Sequence, residues 1–250
     1  MLSQFLWWTS IGMEVLLFGR GIASGLSRRF PVFYGYLFFV LAQEVLRFLS
    51  FPNKVVYGYV YWSTEFLAVA IGCGVVLEIY RNALASFPGS ARMARVVLTG
   101  VFLLAVLKGM VSAAGNPEWW LKANTLEIEE AIRTVQAIGI LALTAVFLFY
   151  AIPFGANLRG LLIGYGFFVS ARVISLMFVA PAGQGFWFYA YSASYPLVLA
   201  LWIICLWSPS EVPDHGGTDL RLENDYQRIA TATLRRLEHA RRYLTKVTQP

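Results

Sequence analysis

Apolar residues in this chain fall in long blocks, without the alternation of half-buried strands or the three-to-four spacing of surface helices. A helix needs about 20 mostly apolar residues to cross roughly 30 Å of hydrocarbon. Seven blocks meet that length: 2–19, 31–50, 55–80, 93–114, 126–150, 160–180 and 187–207. Turn-forming groups separate most of them, among them Phe51-Pro52-Asn53, Gly115-Asn116-Pro117 and Pro181-Ala182-Gly183. The pattern predicts an all-α integral membrane protein whose residues 1–207 form a bundle of seven transmembrane helices. The first block reads as a span and not as a cleaved leader, because no basic residue precedes it and Glu14 interrupts it.

After Trp207 the pattern changes. Residues 208–218 are a Pro/Gly-rich linker, and residues 219–250 form a polar tail. In the tail Leu222, Tyr226, Ile229, Thr233, Leu237, Ala240, Leu244 and Val247 recur three or four apart, which predicts an amphipathic helix with Asp219 at its start. Its excess of arginine and lysine suits the anionic lipids of an inner leaflet. Packing on the cytoplasmic loops, or on the same helix of a second copy, is the alternative.

Composition agrees with the blocks: 58% of residues are hydrophobic and 14% charged, against about 25% charged in soluble domains. A disordered chain and an ordinary cytosolic enzyme are excluded. Cys73 and Cys205 both lie inside apolar blocks, so no disulfide framework or thiolate metal site is supported. The net charge of +6 points to membrane orientation and not to nucleic acid. Alternate loops hold Arg20, Arg28, Arg29, Arg81, Arg92, Arg95 and Arg159, while the opposite loops hold only Lys54 and Lys122. The positive-inside rule then puts the N-terminus outside and the C-terminus in the cytoplasm of a plasma (inner) membrane. Trp7, Trp8, Trp119, Trp120 and Trp187 fit an outer aromatic belt.

The second and sixth blocks echo one another. Gly35-Tyr36-Leu37-Phe38-Phe39-Val40-Leu41-Ala42 matches Gly164-Tyr165-Gly166-Phe167-Phe168-Val169-Ser170-Ala171, and without a gap Pro52 falls on Pro181. Ser63 then falls on Ser192 and Phe66 on Tyr195, whereas the first and fifth blocks share little. Such an echo implies a parallel repeat of three helices, one linker helix and three helices. The plan is similar, as architecture alone, to that of the SWEET sugar carriers. The proline–glutamine pair of those families is absent, and chance likeness between two aromatic-rich blocks is the competing explanation.

Ionisable residues within the spans are costly, roughly 2.5 to 3.5 kcal/mol each at a helix centre. Most fall in the predicted outer half: Glu44, Arg47, Glu65, Lys108, Glu129, Glu130, Arg133 and Arg172, four acids and four bases. Helical spacing pairs Glu44 with Arg47 and Glu129 with Arg133. Glu65, Lys108 and Arg172 have no local partner and are expected to reach across helices. Tyr61 shares a face with Glu65, and Ser192 and Tyr195 lie at similar depth on the last span. A slightly shorter fifth span would leave Glu129, Glu130 and Arg133 among headgroups. In the inner half, Glu78 is expected to pair with Arg81, and Glu14 to hydrogen-bond a neighbouring helix as a protonated acid.

These residues define a candidate ligand-binding set of Glu44, Arg47, Tyr61, Glu65, Lys108, Arg133, Arg172, Ser192 and Tyr195, facing the outside. Both signs of charge beside tyrosines suit a polar or zwitterionic small molecule. The competing reading is an ion-pair network that fixes helix register and binds nothing. No catalytic, metal or cofactor residues are assigned. The two histidines, His215 and His239, lie in the tail, the last span has no lysine for a retinal Schiff base, and no phosphate-binding glycine loop occurs. An enzyme is not expected. A small-ligand receptor or sensor is the first functional expectation. A small-solute transporter and an accessory subunit, in a homo-oligomer or with a membrane-protein partner, are the alternatives.

Overall fold

The computed structural model describes residues 2–85, 88–114, 120–150, 155–182 and 186–210, with Asn224, Gln227, Arg228, Thr231, Ala232 and Arg235 from the tail. The described residues contain no strand. They form α1 (Leu2–Ala23), α2 (Leu26–Arg29), α3 (Pro31–Ser50), α4 (Lys54–Ala83), α5 (Pro88–Ala114), α6 (Trp120–Tyr150), α7 (Ala156–Ala182) and α8 (Phe186–Cys205). Apart from the single turn of α2, these helices coincide with the seven apolar blocks. Three of them, over Pro31–Ser50, Lys54–Ala83 and Ala156–Ser175, are long and apolar enough to cross a membrane.

Local chemistry sets the helix ends. Gly25 takes the left-handed conformation (φ 75°) between α1 and α2, a turn that a side chain would strain. Pro31 opens α3, where its missing N–H costs nothing. Asn53 caps α4, its Oδ1 accepting from the backbone N–H of Val55 and Val56. Glu78 differs from expectation. Its carboxylate accepts from the N–H groups of Val32 (2.9 Å) and Phe33 (2.8 Å), so it caps α3 while still feeling the charge of Arg81. Free N–H groups at a helix start are a better partner for a buried carboxylate than an arginine that reaches solvent.

Six helices close into a ring in the order α1, α3, α4, α6, α7, α8, with α8 returning to α1. The fifth helix, α5, lies outside this ring against α4 and α6, and α4 also reaches across to α7. The interior is aromatic, with Phe33, Tyr165 and Trp202 almost wholly buried. Phe33 meets Trp202 edge-on at 4.9 Å. Two glycines let α7 and α8 approach: a Cβ at Gly160 would collide with Cys205 and one at Gly164 with Trp202. The outward faces are apolar as well, with Phe38, Leu49, Val111, Leu148 and Ile204 each more than half exposed. Water would not favour such a surface, whereas lipid tails would.

At the end where α8 finishes, the chain is pinned by three side chains. Arg20 donates to the Trp207 carbonyl (2.7 Å) and lies over its ring. Arg29 donates to the Ser210 carbonyl (2.9 Å). Asn157 donates to the Cys205 and Ser208 carbonyls, both at 2.8 Å, and accepts from the Ser210 N–H. Beyond this clamp, the described tail residues are helical and exposed. The apolar stripe expected between Leu222 and Val247 lies outside the described residues.

Candidate functional site

The charged residues gather at one end of the ring, where α3 finishes, α4 and α8 begin, and α6 and α7 pass between. On α3 the helical period puts Tyr36, Val40, Gln43, Glu44 and Arg47 on the inward face. Glu65 comes from α4, Glu129 and Arg133 from α6, and Arg172 from α7. Together they make an alternating chain of six charges. Glu44 lies 3.7 Å from Arg47, which bonds Glu65 at 2.8 Å. Glu65 lies 3.8 Å from Arg172, which binds Glu129 through two nitrogens at 2.5 and 2.9 Å. Glu129 is finally 3.7 Å from Arg133. Three acids and three bases cancel, a condition for holding charge in a low-dielectric interior.

The three arginines of this chain are held differently. The Arg172–Glu129 fork is bidentate, and its carboxylate is fully buried. Arg47 is held by more than its ion pair. It stacks over Tyr61 at 4.2 Å, and the Gln43 amide oxygen, turned to satisfy its neighbours, accepts from its Nη1 at 2.9 Å. Arg133 is 2% exposed, lies over the Phe168 ring, and leaves Nε and Nη1 without a hydrogen-bond partner.

A cavity of about 140 Å³ opens beside the chain of charges. Glu44, Arg47, Glu65, Arg133, Phe168 and Tyr195 form much of its wall. Of the expected ligand-binding residues, five therefore line the cavity. Tyr61 supports Arg47 from behind, and Arg172 holds Glu129 and Glu65. The side chains of Lys108 and Ser192 lie outside the described residues. Glu129 and Arg133 are buried within the bundle, and Glu130 faces outward.

Glu14 bonds a neighbouring helix as expected, accepting from the Tyr195 hydroxyl at 2.5 Å. Trp7 donates to Glu44 at 2.6 Å, and seven residues along α1 advance only about 10 Å. Glu14 thus hangs just behind the cavity wall, 1% exposed, with Oε2 unpartnered.

Spacing on charged residues alone missed Tyr36, Gln43 and Phe168. The Tyr36, Val40, Gln43/Glu44, Arg47 period was the available signal for the first two. Below the cavity, Tyr165 donates to the Gly72 carbonyl at 3.0 Å, and a Cβ at residue 72 would sit 2.5 Å from that hydroxyl. Gln136 donates weakly to the Val69 carbonyl and the Cys73 sulfur. Among the described residues no group of three or more His, Cys, Asp or Glu side chains could hold a metal. No known protein family, curated protein or solved structure matches the chain.

Proposed function

We propose that this protein is a seven-span membrane receptor or sensor that binds a small polar molecule in the charged cavity. In this reading the N-terminus and the cavity face outward, and the basic tail lies in the cytoplasm at the inner surface of the plasma membrane. The observation that carries it is the cavity itself, walled by charges of both signs, Glu44, Arg47, Glu65 and Arg133, beside Phe168 and Tyr195. The apolar outward faces and the arginine-rich loops support the membrane setting.

A thermal-shift screen of amino acids, organic anions, amines and sugars on the purified full chain tests the reading. Ligands should raise the unfolding temperature of the native protein and not of Val40→Phe, which fills the cavity. A screen with no stabilising compound would defeat the receptor and leave an accessory subunit ahead.

A carrier is the second reading, favoured by one contact. The echo equates Tyr36 with Tyr165, and these two residues touch across the ring. A parallel repeat of three plus one plus three helices would put two equivalent residues on its axis and leave α5 as the outlying linker. Ligand flux into proteoliposomes separates the readings, since a sensor binds without moving its ligand.

A further inference from the structure

The chain of charges Glu44, Arg47, Glu65, Arg172, Glu129 and Arg133 is open. Its two interior acids have close partners, with Glu65 on Arg47 and Glu129 on Arg172. Its two ends do not. Glu44 has its nearest opposite charge at 3.7 Å, and so does Arg133. Those ends carry opposite signs, and both stand in the wall of the same cavity. A ligand with one negative and one positive group would close the chain into a ring of alternating charge. Its carboxylate would pair with the Arg133 guanidinium, and its ammonium with the Glu44 carboxylate.

Neutrality selects the same class. Among the described residues the six charges of the chain sum to zero, so a net anion or a net cation would add uncompensated charge, whereas a zwitterion would not. Size narrows it further. The cavity, about 140 Å³, suits a small molecule. We propose, resting on the binding role given above to this cavity, that its ligand is a small zwitterionic amino acid held between Arg133 and Glu44.

Binding to the detergent-purified full chain is measured by calorimetry with glycine, alanine and 4-aminobutyrate. Propionate and ethylammonium serve as the anionic and cationic halves of the probe. At least one zwitterion should bind tenfold or more tightly than either half. Arg133→Gln and Glu44→Gln should each weaken it at least tenfold, and the native competition series stands even if a variant fails to fold. Propionate binding as tightly as the zwitterions would overturn the proposal in favour of a simple anion site. If the amino acids fail while another compound in the wider screen stabilises the native protein and not Val40→Phe, the class is wrong and the receptor reading survives. If nothing binds in either experiment, both fall.

Discussion

Tyr36 and Tyr165 meet edge to face across the ring, their centroids 6.3 Å apart and their planes at 78°. They come from α3 and α7, helices that are not neighbours around the ring, and both rings are buried. Tyr165 continues the contact to Phe168, and Phe168 to Tyr195, so an aromatic wall runs from the ring's centre to the cavity.

An edge-to-face pair of this kind contributes about 0.5 to 1.5 kcal/mol beyond the area it buries. Tyr36→Leu and Tyr165→Leu should therefore destabilise less together than the sum of their separate effects, by about that amount. Thermal or denaturant unfolding in detergent gives the double-mutant cycle. Strict additivity would mean that the two halves of the ring are not coupled through this contact.

Arg172 binds Glu129 through two nitrogens but only approaches Glu65 at 3.8 Å. Arg172→Ala should then leave the fully buried Glu129 carboxylate with no hydrogen-bonded base and only Arg133 at 3.7 Å, a loss of about 3 to 5 kcal/mol. Adding Glu129→Gln should restore much of it, and adding Glu65→Gln should restore little. Equal rescue by both would mean that the guanidinium is shared more evenly than its hydrogen bonds indicate.

The helices were legible because a membrane-length block of apolar residues has few alternative structures, and the blocks match α1 and α3 to α8 closely. Legible too were the charged residues that matter, since each is expensive where it sits. Their pairing was not. Spacing of three or four residues tied Glu129 to Arg133, yet the better partner of Glu129 is Arg172, 43 residues away. Local spacing ranks neighbours on one helix and is blind to rotations that bring a second helix closer. Glu78 shows the same limit: Arg81 was its neighbour in sequence, but the start of α3 offered two unsatisfied N–H groups.

Glycine substitutions should separate close packing from open space. Gly164→Ala places a methyl group against the Trp202 indole, where overpacking typically costs about 1 to 3 kcal/mol. Gly12→Ala meets nothing within 4 Å and should be neutral or stabilising by up to about 1 kcal/mol. Unfolding temperatures of the two variants should move in opposite directions or differ by several degrees. Two indistinguishable variants would argue against the α7–α8 approach described above.

Tyr195 is the single hydrogen-bond partner that reaches the Glu14 carboxyl among the described contacts. Tyr195→Phe should cost about 1 to 3 kcal/mol, the usual penalty for stranding a buried polar group. Replacing both, as Tyr195→Phe with Glu14→Met, should recover stability because no orphan remains. A double variant no better than Tyr195→Phe alone would show that Glu14 has a second role in holding α1.

Orientation remains the prediction on which the position of the cavity depends. Seven arginines near alternate helix ends against two lysines near the others would put the α3–α4 connection outside and the α4–α5 connection inside. Both connections offer an exposed residue for labelling, Pro52 in the first and Ala85 in the second. Cys73 and Cys205 must first be replaced, since Cys205 is only half-buried. In intact cells an impermeant maleimide should then modify Pro52→Cys, and should reach Ala85→Cys only after permeabilisation. The cavity lies at the same end of the bundle as Pro52, between the last turns of α3 and the first of α4. Labelling at Ala85→Cys from outside, with Pro52→Cys protected, would turn the bundle over. The charged site would then face the cytoplasm, and the ligand would have to be an intracellular one.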